Sequence, residues 1–149
     1  MKNTKSRNGF TLIELIIVMV ILGIMAAVAV PRYLDSISNA EEAAEDAVIS
    51  AIKSGLTQYA NNSLYESGRA EWPTNPFDAL AEKPVGYSTD DSRADVDGEW
   101  TFYSDGMSMQ ISHQRADNSR FEWAYNKGIQ DGVDDAAIGT LGARVKVAP

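Results

Sequence analysis

The sequence has no cysteine among its 149 residues and a single histidine, His113. The lack of cysteine excludes disulfide bonds, thiolate metal sites and Cys–His catalytic pairs, and one histidine excludes a site with several histidine ligands. The phosphate-binding loop G-x-x-x-x-G-K-[ST] is also absent. His113 falls on the apolar phase of a predicted strand, which favours a hydrogen-bonded structural histidine over a catalytic base. We therefore predict that the protein is not an enzyme and needs no cofactor.

Positive charge is scarce: 13 lysines and arginines stand against 21 aspartates and glutamates, a net charge of −8. Three of the basic residues, Lys2, Lys5 and Arg7, precede Gly9, and their removal would leave ten basic residues and a net charge of −11. Proteins that bind nucleic-acid backbones present basic surfaces, so direct nucleic-acid binding is not expected. The acidic composition suits a surface exposed to water.

A long apolar run extends from Phe10 to Val30 and contains one charged residue, Glu14. As a helix, these 21 residues would span about 32 Å, enough to cross the hydrocarbon core of a bilayer. An ionised side chain in that core costs roughly 2.5 kcal/mol or more, depending on its depth. The position of Glu14 therefore indicates a function for its carboxylate.

The basic residues before the apolar run predict its orientation in a membrane. By the positive-inside rule the amino terminus stays in the cytoplasm and the remainder crosses the membrane. A secretory signal is an alternative, because the sequence Ala27-Val28-Ala29 resembles a cleavage site that would release a soluble chain starting at Val30. Two features argue against it: the run is longer than the roughly 7–15 apolar residues of such a signal, and Glu14 would be unfavourable inside it.

The residues around the start of this run resemble the amino terminus of type IV pilins and pseudopilins. The resemblance rests on a short basic leader, on Gly23 and Pro31, and on the hexapeptide Gly9-Phe10-Thr11-Leu12-Ile13-Glu14. It implies cleavage between Gly9 and Phe10 by a prepilin peptidase and N-methylation of Phe10. It also implies that Glu14 pairs with the Phe10 amine of its own or a neighbouring subunit and sets the axial register of a filament. Gly23 and Pro31 would mark where the helix loosens during assembly.

The whole pattern predicts an α+β fold of the type IV pilin kind, with one long amino-terminal helix whose C-terminal half packs on a small antiparallel β-meander. We assign residues 1–9 to a leader that is removed, 10–31 to the transmembrane and filament-assembly helix, 32–62 to its amphipathic continuation and 63–149 to a globular head with three or four antiparallel strands. Apolar residues at helical spacing predict the stripe that faces the head: Tyr33, Ile37, Ala40, Ala44, Ala47, Ala51, Ile52, Leu56 and Tyr59. Charged residues, Glu45 among them, fall mainly between these positions.

Period-two alternation predicts the strands of the head at 99–103, 107–113 and 120–126, with turns at 104–106 and 115–119. Residues 141–147 are a candidate for a short edge strand. Asn75 and Pro76 predict the start of a short helix, with Asn75 as its cap. The acidic stretch 90–97 is interpreted as an exposed loop.

A carboxylate cluster near the C-terminus consists of Asp131, Asp134 and Asp135. Many pilins close this region with a disulfide, which a cysteine-free chain cannot form. The major pseudopilins of type II secretion resemble this chain in lacking cysteine and tie their C-terminal loop with calcium, which implies that the three aspartates would supply oxygen ligands to calcium. A solvated acidic loop is the alternative.

The resemblance implies a structural subunit of a type IV pilus-like filament that supports adhesion, motility or uptake. A pseudopilin of a type II secretion system is the alternative, and a soluble secreted binding protein released at Ala29 is the remote alternative. The expected partners are further copies of the chain in a helical filament, the prepilin peptidase, the inner membrane before assembly, and a pilus or secretion machinery. The precursor would lie in the inner membrane with its head in the periplasm, and the filament would be periplasmic or extracellular.

Overall fold

The structure is a computed structural model that describes residues 10–104, 106, 108–128 and 138–148. These residues form one long helix, α1 (Leu12–Ser67), a 3₁₀ helix (Pro76–Ala79) and a five-stranded sheet. The strands are β1 (Trp100–Ser104), β2 (Met109–Gln114), β3 (Arg120–Asn126), β4 (Thr140–Leu141) and β5 (Val145–Val147). The predicted α+β fold, with a long amino-terminal helix and a small antiparallel sheet, is confirmed.

The chain divides between Ala43 and Ala44 into two compact units, which we call the N-terminal unit and the C-terminal unit. In the N-terminal unit every residue from Phe10 to Ala40 is exposed, and α1 continues through Gly23 and Pro31. In the C-terminal unit α1 supplies one face of a hydrophobic core.

Helix α1 ends at Ser67, five residues beyond the predicted end near residue 62. Gly68 terminates it, because this residue has a φ of +74° and its N–H donates to the carbonyl of Leu64 at 3.0 Å. A left-handed glycine just past the last turn is a common helix stop. The asparagines at 61 and 62 have no such conformation and are simply helical.

The first three strands, β1, β2 and β3, form the predicted antiparallel meander. Phe102, Ile111 and Trp123 lie opposite one another across β1, β2 and β3 on the face that packs on α1. The Arg115–Ser119 connection is the second predicted turn, closed by a bond from the Arg115 N–H to the Ser119 carbonyl at 2.9 Å. In the first turn, Asp105 lies outside the described residues.

The face of α1 that contacts the sheet differs from the predicted stripe. Ile52 and Leu56 are buried as predicted, but the other buried positions are Glu45, Ile49 and Ala60. Four stripe residues of the C-terminal unit are exposed instead: Ala44, Ala47, Ala51 and Tyr59. Both sets have helical spacing, so periodicity does not distinguish them. The sheet covers the isoleucines and leucine because each buries more apolar area than an alanine.

The core beneath α1 is rich in aromatic residues. The rings of Trp100 and Trp123 stack with centroids 5.7 Å apart, and Phe77 meets Tyr87 at 4.7 Å. Phe77 is fully buried and belongs to the 3₁₀ helix, which is capped as predicted: the Asn75 side chain accepts the Phe77 N–H at 3.0 Å.

The opposite face of the sheet is covered by the acidic stretch 90–97, for which the sequence predicts an exposed loop. Its charged residues are exposed, but Ala94 is completely buried. The Ala94 N–H donates to Ser112 Oγ at 3.2 Å, and Arg120 Nε donates to the Ala94 carbonyl at 2.7 Å. The backbone of Ala94 therefore binds this stretch to polar side chains of β2 and β3 through two hydrogen bonds.

The burial of Tyr125 predicts that the free energy of unfolding decreases at alkaline pH. Burial raises the pKa of Tyr125, whose hydroxyl donates to the Pro73 carbonyl at 2.8 Å. Because the folded state holds this proton more tightly than the unfolded state, the stabilisation is complete below the unfolded pKa of about 10 and is lost as the pH rises above it. We expect Tyr125→Phe to flatten the decline in unfolding free energy by up to about 1.4 kcal/mol per pH unit. Urea unfolding of the wild type and Tyr125→Phe between pH 8 and 11 tests this prediction. Tyr65→Phe, at an exposed position, is the control. An equal decline of the unfolding free energy in the two variants would contradict the prediction.

Candidate functional site

The first turn of α1 is closed by a reciprocal hydrogen-bond pair between Thr11 and Glu14. The Thr11 N–H and hydroxyl both donate to Glu14 Oε2, at 2.8 and 2.7 Å, while the Glu14 N–H donates to Thr11 Oγ1 at 3.3 Å. This is a capping box, in which the cap residue and the third helical residue satisfy each other's free backbone donors. Glu14 therefore helps to cap the start of the helix as well as carrying the charge noted in the sequence.

The Thr-x-x-Glu spacing of a capping box is visible in the sequence, although no role was predicted for Thr11. The box uses the Thr11 amide and not the Phe10 nitrogen, so cleavage between Gly9 and Phe10 would leave its atoms in place. Glu14 receives both Thr11 bonds on one oxygen, Oε2. Its other oxygen, Oε1, receives neither of these bonds.

A Thr11→Val substitution tests the contribution of the cap. Valine keeps the shape of threonine but lacks the hydroxyl, and loss of such a cap costs about 1 kcal/mol. We expect amide exchange in the first turn of α1 to rise about fivefold in the processed chain in detergent micelles. Thr57→Val, which removes a hydroxyl from an exposed position far from the first turn of the helix, is the matched control. First-turn exchange equal to that of the control would show that the box does not hold the turn.

Beyond this cap the N-terminal unit presents an exposed apolar surface along the run from Phe10 to Val30, in which Glu14 is the one charged residue. Phe10 is 87 % exposed and Leu12 76 %, and no side chain before residue 41 is buried or half-buried among those described. Helix α1 is the one helix in the described ranges that is long and apolar enough to cross a membrane. A surface of this kind needs lipid or other protein around it.

Gly23 and Pro31 lie within continuous helix, with exposed positions on either side. A Cβ placed on Gly23 would meet no atom within 4 Å, so packing within the subunit does not require a glycine there. Local loosening of the helix at these two residues during assembly stays a prediction.

Two of the sequence-predicted sites involve residues outside the described ranges. Gly9, on the amino-terminal side of the cleavage bond, is one of them. The calcium hypothesis at Asp131, Asp134 and Asp135 also lies outside the described residues and stays a prediction. Within the described ranges, no group of three or more histidines and carboxylates is arranged to hold a metal ion.

A buried ionic cluster centred on Glu45 was not predicted from the sequence. This carboxylate is fully buried on the sheet-facing side of α1, and Arg115 binds it with two parallel bonds, Nε to Oε1 and Nη2 to Oε2, each 2.6 Å long. Arg144 Nη1 donates to Oε2 at 3.2 Å. A planar guanidinium matches a carboxylate in this bidentate geometry. Only the three-dimensional arrangement joins these residues, because 70 positions separate Glu45 from Arg115.

His113 lies beside this cluster in the structural role predicted for it. Its Nδ1 is 2.9 Å from the Glu99 carbonyl, and its ring stacks on Trp100 with centroids 4.1 Å apart. Its Nε2 is 3.9 Å from Glu45 Oε1. The hydrogen-bonded, stacked ring is part of the core packing.

Comparison with known proteins places the amino terminus in a defined family. Residues 4–30 match the family model described as the prokaryotic N-terminal methylation motif. The chain is 43 % identical over 85 residues to the type IV narrow pilus major component PilA5 of Thermus thermophilus, over 57 % of this chain and 66 % of that protein. It is 42 % identical over 69 residues to a fimbrial protein of Neisseria meningitidis, over 46 % of this chain and 37 % of the relative.

A secretion protein shows a similar degree of likeness. The type II secretion system core protein G of Pseudomonas aeruginosa is 36 % identical over 83 residues, which cover 55 % of each chain. The matches therefore span between about a third and two thirds of these relatives' lengths. Comparison with solved structures gave no significant match. The methylation motif, the pilin and secretion-protein relatives and the fold together show that this chain belongs to the type IV pilin and pseudopilin family.

Proposed function

We propose that this protein is a structural subunit of a type IV pilus-like filament that supports adhesion, motility or uptake. The observation that carries the proposal is the exposed apolar surface of the N-terminal unit, from Phe10 to Val30, with the carboxylate of Glu14 in the helix cap at its start. Such a surface is stable in lipid, and it is equally stable when the same segments of other subunits cover it. The role is structural and involves no catalysis.

Assembly exchanges lipid contacts for helix–helix contacts. In a bilayer there is no hydrophobic driving force between helices, so packing and polar contacts decide whether subunits associate. A dispersed membrane pool of subunits can then feed a growing fibre, with the apolar helix segments bundled at its centre. The acidic C-terminal units suit the water-exposed surface of that fibre.

The proposed processing creates the polar partner that Glu14 needs. A prepilin peptidase cuts between Gly9 and Phe10, and Phe10 is N-methylated and remains a cationic amine. This amine lies one helical turn from Glu14 within a subunit and would meet the Glu14 Oε1 of an adjacent subunit in the filament. The ion pair then sets the axial register, and Gly23 and Pro31 permit the local loosening of the helix.

The proposed topology follows from the charges that flank the apolar run. The precursor lies in the inner membrane with its basic leader in the cytoplasm and its C-terminal unit in the periplasm. Its partners are further copies of the same chain, the peptidase and an assembly machinery. No direct nucleic-acid binding is included, since the chain without its leader carries a net charge of −11, from ten basic and 21 acidic residues.

A pseudopilin of a type II secretion system is the second candidate function. The likeness to the secretion core protein G of Pseudomonas aeruginosa favours it, as does the absence of cysteine. In that case the filament is short and stays in the periplasm, while processing and the role of Glu14 are the same. The two functions therefore differ in where the processed subunit is found.

The intact mass and amino-terminal residue of the chain in sheared cell-surface material distinguish these functions. An abundant species that begins with N-methylated Phe10 would establish a surface pilin. The same species confined to the membrane fraction would favour the pseudopilin. A soluble chain that begins at Val30 would overturn the filament proposal, since it would identify the apolar run as a signal that is cleaved after Ala29.

A further inference from the structure

The last described segment of the chain forms an edge strand that is broken by a β-bulge. Leu141 of β4 lies opposite Tyr125, and Lys146 of β5 lies opposite Phe121, both on β3. From Phe121 to Tyr125 there are four steps along β3, whereas from Leu141 to Lys146 there are five along the edge strand. The edge strand therefore has one extra residue, which lies next to the hydrogen bond from the Gly142 N–H to the Ala124 carbonyl. An extra residue of this kind is a β-bulge.

The bulge determines where Arg144 points. Side chains alternate between the two faces of a strand, so without the extra residue an inward Leu141 would place Arg144 on the outer face. With it, Leu141 packs against the core and Arg144 also faces α1, where Nη1 reaches Glu45 Oε2 at 3.2 Å. The guanidinium lies 5.5 Å from the centroid of the Phe121 ring, within range of a cation–π contact.

Beyond its backbone pairing with β3 and the partly buried side chain of Leu141, this segment buries little apolar surface. None of its described residues, 138–148, is buried, and Val145 is 56 % exposed. Strand β4 has two residues and β5 has three. Apolar burial, which dominates folding free energy, is therefore much smaller here than in β1–β3.

Glu45, which accepts the hydrogen bond from Arg144, is also held by Arg115, which lies outside this segment. Arg115 already pairs with it through two short bonds and is itself 4 % exposed, whereas the Arg144 side chain is 25 % exposed at the margin of the cluster. Removal of Arg144 thus leaves a paired carboxylate. Removal of Glu45 instead takes away the carboxylate that both arginines bind.

We propose that the ion pair between Arg144 and Glu45, which we call the latch, holds the C-terminal edge strand on the sheet. A chain without cysteine cannot hold this strand with a disulfide. When the latch is released, residues 140–148 leave β3 as one unit while α1 and β1–β3 stay folded. The latch depends only on groups within the C-terminal unit and is independent of the proposed filament.

Hydrogen exchange of the full processed chain in detergent micelles tests the latch. In Arg144→Met, which keeps the length and apolar stem of the side chain, we expect amide exchange in residues 140–148 to rise about tenfold or more, as for loss of a charged hydrogen bond. Exchange in β1–β3 should stay within about twofold of wild type. Lys146→Met removes the neighbouring exposed cation and is the matched control. In this variant, amide exchange in residues 140–148 should equal that of the wild type. Arg144→Lys, which keeps the charge without the planar fork, should give an intermediate rise.

Three results would overturn the latch. Unchanged exchange of residues 140–148 in Arg144→Met would show that the backbone bonds suffice. An equal rise in β1–β3, or a variant that does not fold, would show that the segment is inseparable from the core. An equal rise in Lys146→Met would show that any loss of positive charge at this edge has the same effect.

Discussion

A Glu14→Ala subunit is expected to be produced and cleaved normally but to enter filaments about tenfold to a hundredfold less than the wild-type chain. The magnitude is that of a lost charged hydrogen bond, about 1.5–3 kcal/mol. Insertion of the precursor should not suffer, because the substitution removes a carboxylate that is costly in a bilayer. The measurement is the ratio of processed subunit in sheared filaments to that in membranes, in cells without the wild-type chain.

Glu14→Gln separates the two roles of this side chain. Glutamine is also suited to the third position of a capping box, so it can accept the Thr11 bonds at Oε1 without carrying a charge. If pairing with the Phe10 amine sets the register, Glu14→Gln will assemble as poorly as Glu14→Ala. Normal filaments from Glu14→Gln would show that the cap is sufficient and would contradict the register role.

The second large effect is expected at Glu45, with Glu45→Gln destabilising the C-terminal unit by about 3–5 kcal/mol. The amide keeps the shape of the carboxylate but removes the charge that pairs with the buried Arg115 cation, and it also removes the nearer of the two carboxylates beside Arg144. Tryptophan fluorescence during urea unfolding reports this unit specifically, because Trp72, Trp100 and Trp123 all lie in it.

Asp46→Asn is the matched control for that substitution. Asp46 is the next residue, its side chain is 70 % exposed, and its carboxylate is 3.9 Å from Arg144. A surface pair of this kind contributes about 1 kcal/mol or less. Equal destabilisation by the two variants would show that burial of Glu45 is not what makes its charge important.

A double variant tests whether the buried pair contributes more than an apolar contact would. Replacement of a buried ion pair by well-packed apolar residues is often neutral or stabilising. We therefore expect Glu45→Leu combined with Arg115→Met to be more stable than Glu45→Gln, since no fully buried charge is left unpaired. Equal or lower stability of the double variant would show that the pair is required for the packing of this core.

Helix α1 shows what local patterns can predict. The capping box at Thr11 and Glu14, the apolar run and the glycine stop at Gly68 each depend on residues within a few positions of one another, so each is readable from the sequence. The box was nevertheless not predicted, and the helix end was assigned near residue 62 although the Gly68 region was also a candidate stop. The role predicted for Glu14 rested on its charge, whereas the box depends on its spacing to Thr11. The asparagines near residue 62 and Gly68 are both candidate stops, and the left-handed conformation of Gly68 decides between them.

The face of α1 that packs on the sheet could not be chosen in the same way. Alanines and larger aliphatic residues both recur at helical spacing, and the choice between them depends on the shape of a sheet that lies far away in the sequence. Glu45 illustrates the difficulty, because an acidic residue in a helix is normally solvated and becomes stable inside only when specific partners neutralise it. Those partners are contributed by the β2–β3 turn and by the edge-strand bulge.

The family, the membrane-length helix, the order of helix and meander, and the carboxylate at the head of the apolar surface can all be predicted from the sequence. Each of these is set by short-range patterns of hydrophobicity, charge and turn residues. The folded arrangement was needed to show which helix face is covered, that Glu45 is buried between two arginines, and that a one-residue bulge turns Arg144 inward. These features depend on the register between distant segments, which local periodicity does not encode.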